Sequence, residues 1–412
     1  MLRKTTLACV ASMPDNIAMV NITTPQSTAP HNFALWNLGF RPFYLLAGLF
    51  ATLSIPLWAA QYAGWLGART IVAGPLWHAH EMLFGYAFAV IVGFLFTAAR
   101  NWTNQQTPTG VILVAIAALW VAARLLAFTT YPLIAATFDT AFAVAAALGI
   151  AVPLLRSRNR RNYFFIALLL GLGLANLVFH LCMAGFLDLP LRLGLQVGLD
   201  IVLLIMVIMG GRVIPMFTMN GVPGALCTRL PWIERLALGS VVALLAADLF
   251  SAPAEIIAAI AAIAALIHAL RFGLWRPWRT LSFPIVWILH FGYAWIVLAL
   301  ALRALAVQDL VPASAANHAL AVGAIGSLTL GMMTRTALGH TARPLQARKA
   351  EVFCYAAIQL AAIMRVFLPL AFPSLYLQAI IGSGVLWSLA FGVYTFSYWP
   401  ILTRPRVDGG PG

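Results

Sequence analysis

Charge is what this sequence has least of. Only 9% of its 412 residues are Asp, Glu, Lys or Arg, whereas 62% are hydrophobic. A soluble domain carries roughly 25% charged residues, so the composition excludes that class and implies a polytopic membrane protein in a lipid bilayer. Carboxylates are scarcest, 11 against 25 Lys and Arg, for a net charge of +14. Such an excess can signal nucleic acid, but here the basic residues sit in short gaps between apolar runs. Membrane topology explains them, and no nucleic-acid partner is expected. Cysteine is also sparse: Cys9, Cys182, Cys227 and Cys354 are far apart. With no CxxC and no CxxCH, neither a zinc ribbon nor a covalent c-type haem is indicated.

Apolar runs are what the chain has in plenty. A span needs about 20 mostly apolar residues. Twelve candidates meet that, near 42–63, 76–98, 110–130, 132–154, 162–186, 191–214, 231–249, 253–270, 280–304, 312–334, 350–371 and 375–398. The expected fold is all-α with about twelve transmembrane helices. Residues 1–33 read as a polar, disordered tail, 34–400 as the membrane domain and 401–412 as a short cytoplasmic tail. The N-terminal apolar stretch is too short and too broken for a signal peptide.

Loops after even-numbered spans hold most of the Arg and Lys, including Arg156, Arg158, Arg160, Arg161, Arg276, Arg279, Arg343 and Lys349. The other face offers only Arg69, Arg192 and Arg303. The positive-inside rule then places both termini in the cytoplasm.

That orientation sorts the histidines. His78, His80, His180 and His318 all fall within roughly 10 Å of the outer boundary, at 1.5 Å rise per residue. His290 is nearer mid-depth, and His268 and His340 are on the cytoplasmic side. The stretch Pro75-Leu-Trp-His-Ala-His-Glu-Met82 opens span 2 with four groups that could ligate a metal or carry protons. On a regular helix His78 and His80 point about 200° apart and serve opposite sides. A non-helical first turn would instead let them share one copper. Met82 and Glu81 lie at i+4 and i+3 from His78 and could join its side. Imidazole and thioether suit haem iron and copper. Helix capping or packing is the plainer role for each of these residues.

Aligning His318 with His80 also aligns Gly323 with Gly85 and Gly331 with Gly93. These glycines would admit a flat macrocycle or another helix, and the match suggests His80 and His318 as axial ligands of one cofactor. Spans 2, 6 and 10 each end in Gly followed by Arg and Thr, which hints at three four-helix units. Arg212 and Arg335 there could receive haem propionates, anionic lipid or helix C-termini. Within the spans, Arg124 and Asp139 match in depth and are expected to pair. Asp200 and Arg365 have no evident partner.

Gly39-Phe-Arg-Pro-Phe43, Trp77-His-Ala-His-Glu-Met82, Asn101-Trp-Thr103, Gly211-Arg-Val-Ile-Pro215, His318 to Gly326 and Thr334 to Pro344 together resemble the NnrS family, over roughly Ala34 to Trp399. The resemblance implies a twelve-helix bacterial inner-membrane protein that contains haem and copper and is linked to nitric oxide metabolism, nitrosative stress and denitrification. Non-covalent b-type haem is expected. His78, His80, Met82, His180, His290, His318 and His340 are the candidate metal ligands. Arg41, Arg212 and Arg335 are candidate cofactor-binding cations, and Glu81 a candidate proton carrier in an NO-directed reaction with a quinol or other electron donor. Two alternatives remain: a secondary transporter, and a haem electron-transfer protein without NO turnover.

Overall fold

The computed structural model describes residues 33–67 and 74–410. The polar tail and Arg69 lie outside the described residues. Twelve helices and no strand are found among those described. In chain order they are α1 Phe40–Tyr62, α2 Gly74–Thr103, α3 Gly110–Leu126, α4 Pro132–Arg156, α5 Phe164–Met183, α6 Leu191–Gly221, α7 Pro231–Leu249, α8 Ala254–Leu274, α9 Pro284–Ala306, α10 Ala313–His340, α11 Lys349–Ala371 and α12 Tyr376–Thr403. Ten helical stretches are long and apolar enough to cross a membrane. The other two are α3, only 17 residues long, and α7, which carries Glu234, Arg235 and Asp248.

Neighbours in sequence pack as neighbours in space, and α12 returns to lie along α1, so the bundle closes. Helices α2, α6 and α10 run inside it, with α2 the most deeply buried. One contiguous apolar core joins all three. A small separate cluster, Trp58, Ala59, Trp77 and Ile380, seals the end where α2 begins.

Both α2 and α10 widen into a π-helical turn directly after the aligned histidines, over Glu81–Ala87 and Ala319–Gly326. Such widened turns recur at functional sites. The aligned glycines admit neighbouring side chains. A Cβ on Gly85 would lie 2.8 Å from Arg124 Nη1, and one on Gly323 would strike the Trp295 ring. The carbonyl of Gly85 accepts from Trp120 Nε1 at 2.9 Å.

The charges without an evident partner have partners. Arg303 lies inside α9, not in a loop, and bonds Asp200 at 2.7 Å and also Asp248. Asp200 lies in the third turn of α6, which extends over 31 residues, about 46 Å. Arg365 lies 3.4 Å from the Tyr376 hydroxyl and over its ring.

Candidate metal centre

The first turn of α2, Gly74–His80, is helical, so the shared-copper arrangement that needs a non-helical turn does not arise. His78 and His80 face opposite ways. His78 stacks on Trp58 of α1, centroids 4.1 Å apart, and its ring lies 6.2 Å from that of His318 on α10, 12° from parallel. His318 donates from Nδ1 to the carbonyl of Ser314 at 2.6 Å. A Nδ1–H held this way leaves the Nε2 lone pair available as a ligand.

His80 turns toward α4 and α5. Its Nδ1 donates to Glu81 Oε1 at 3.0 Å; its Nε2 lies 2.8 Å from Asn176 Oδ1 and 3.5 Å from Asp139 Oδ2. His180 Nε2 donates to the same Asp139 Oδ2 at 3.2 Å. Arg124 of α3 completes the cluster, donating to Glu81 Oε2 at 2.8 Å and to Asp139. His80, Glu81, Arg124, Asp139 and Asn176 are all buried. Arg124 faces two carboxylates, Glu81 and Asp139, inside an apolar bundle, and His80 and His180 contact the same carboxylates.

His80, Asp139 and His180 each present a ligand atom within 4.8 Å of the others. In a tetrahedral site with bonds of about 2.0–2.1 Å, ligand atoms stand about 3.3–3.4 Å apart. The contacts of Asp139 with His80 and His180, 3.5 and 3.2 Å, are close to that spacing.

The structure therefore joins His78 with His318 and His80 with His180, where the sequence alignment suggested His80 with His318. Met82 packs partly buried against the core. His290 bonds Thr218 at 2.8 Å, between α9 and α6. His340 closes the opposite end of α10, about 33 Å from His318 along the helix. Arg41 donates to the carbonyls of Leu402 and Arg404, capping α12, and Arg212 to Asn162 at 2.7 Å. Arg335 lies on the Phe217 ring, 3.9 Å from its centroid. Sequence reasoning missed Asn176 and Trp58, and it treated Arg124 and Asp139 as an isolated pair. The available signal was depth: Asp139 begins the third turn of α4 and His180 lies in the last turn of α5.

A closed bundle of apolar helices, with histidines and carboxylates gathered in two groups at one end, defines a multi-pass membrane protein with a polar centre. The chain matches the family model described as NnrS protein over residues 34–406 and belongs to the NnrS family. No curated protein matches it.

Proposed function

We propose that this protein binds haem and copper in the bacterial inner membrane and acts in the response to nitric oxide. Family membership and the two histidine groups support the reading. The observation that carries it is the His78–His318 spacing. Two imidazoles on opposite sides of one metal, at bonds of about 2.0–2.1 Å, place their ring centroids about 6.3 Å apart. The two rings here are 6.2 Å apart and nearly parallel.

In this reading His78 and His318 would hold haem iron, which would supply electron transfer. His80, Asp139 and His180 would hold copper, which would supply a site for NO. The chain's own residues set the geometry: Ser314 fixes the His318 tautomer, Trp58 fixes the plane of His78, and Glu81, itself held by Arg124, orients His80. Glu81 Oε1 accepts from His80 Nδ1 and so fixes which nitrogen of that ring faces Asp139. NO is small, uncharged and soluble in lipid, so a buried site needs no polar channel to meet it. The electron donor, a quinol or another reductant, belongs to the same proposal.

The test is an optical and paramagnetic-resonance spectrum of detergent-purified protein, reduced, with and without NO, alongside iron and copper analysis. Both metals should be present, and NO should alter the spectrum of wild type but not of His180→Ala. Absence of both metals after expression with both supplied would overturn the reading and leave transport as the better account.

A further inference from the structure

Opposite the histidine end, the C-terminal halves of α2, α6 and α10 diverge around a cavity of about 890 Å³, within the range of small-molecule and cofactor sites. Its walls mix apolar and polarisable side chains, Trp102, Phe217, Met209, Met216 and Met332 among them, with polar ones such as Asn101, Asn220 and Gln346. No Asp or Glu lines it; its charged and titratable groups are Arg335 and His340.

Arg335 sets the cavity apart. Five arginines are fully buried among the described residues: Arg41, Arg124, Arg271, Arg335 and Arg365. Four of them have an answer. Arg124 and Arg271 meet carboxylates, Arg41 meets helix-terminal carbonyls and Arg365 meets the Tyr376 hydroxyl. Arg335, 6% exposed, has a buried Nε with no partner and no hydrogen bond among the described residues. The face of Phe217 returns only part of the cost of desolvating a guanidinium. A planar fork of donors with no acceptor, set in this cavity, is complementary to a carboxylate or phosphate.

We propose that this cavity binds an amphiphile whose carboxylate or phosphate is received by Arg335 and whose apolar body lies against the methionine and aromatic walls. The site is separate from the histidine groups, and the proposal does not rest on their binding metal. Two sources share this chemistry: a membrane phospholipid, and a free fatty acid.

The full-length protein is extracted into mild detergent without added lipid, and the molecules it retains are identified by native mass spectrometry. Phosphorus analysis separates phospholipid from fatty acid. One amphiphile bearing a carboxylate or phosphate is expected per chain. Arg335→Gln should lower its occupancy roughly tenfold, the loss of a charge-assisted pair, while Arg335→Lys keeps part of it. Ala98→Phe, which fills the cavity from α2, should also expel it. His318→Ala should leave it in place. Wild-type retention in Arg335→Gln, or recovery only of molecules with neither a carboxylate nor a phosphate, would overturn the proposal. If Arg335→Gln does not fold, Ala98→Phe decides, and an undiminished ligand there would be equally fatal.

Discussion

The energetics of the centre turn on Arg124. It is the single cation facing Glu81 and Asp139, and its own neighbours are apolar helices. Arg124→Leu strands two buried carboxylates, and breaking a buried pair on one side costs about 3–5 kcal/mol. A clear drop in melting temperature in detergent is expected. Arg124→Leu combined with Asp139→Leu and Glu81→Gln should recover part of it, because fewer charges are left stranded. If the single variant melts like wild type, the cluster is solvated and the charge argument is wrong. His268 provides the contrast. Its Nδ1 accepts from the Tyr293 hydroxyl at 2.6 Å and its Nε2 donates to the carbonyl of Ala237 at 3.2 Å, so neither nitrogen is free. His268→Ala should therefore lower stability but leave metal content unchanged. A loss of iron or copper in that variant would contradict the assignment of roles.

At the scale of the element, hydropathy located the helices well and their ends less well. The apolar run at 231–249 coincides with α7, Pro231–Leu249. By contrast α2, α6 and α10 run on to Thr103, Gly221 and His340, beyond the ends of their apolar runs. Hydropathy marks the bilayer crossing, whereas a helix continues through polar residues until a cap stops it, as at Asn104 with φ 51°. Depth matching found the Arg124–Asp139 pair because both residues flank one short turn. It could not pair the histidines, since the alignment of His80 with His318 identifies equivalent positions, and equivalent positions face equivalent neighbours rather than each other. The shared π-helical turns at those positions support the alignment, and the contacts show that His78 is the partner of His318. Nor does an apolar pattern reveal an extra residue in a turn. These turns depend on close packing. In α10 the Trp295 ring lies against Gly323 while its Nε1 donates to Gln359 at 2.8 Å. Gly323→Leu should overpack this contact and cost about 1–3 kcal/mol, with a matching fall in melting temperature. A neutral effect would show that the helix can be displaced without cost.

At the scale of the molecule, the inner helices α2, α6 and α10 are spaced four apart in sequence, which is the pattern three four-helix units would give. We propose that arrangement, with both termini in the cytoplasm. Arg303, one of the three arginines counted at the other face, is committed to Asp200 and Asp248 within the bundle. In a chain whose native cysteines are replaced by serine, Arg158→Cys should resist an impermeant thiol reagent added to intact cells, and Asp188→Cys should react. The reverse labelling would invert the molecule and put the histidine centre on the cytoplasmic side.

The central claim is that one helix serves two metals, one on each side, and metal content in four single variants tests it most directly. Iron and copper per chain would be measured in purified His78→Ala, His318→Ala, His80→Ala and His180→Ala. The account predicts that the first two lose iron and keep copper, and the last two lose copper and keep iron. Loss of the same metal in His80→Ala and His318→Ala, or wild-type contents in all four, would contradict it.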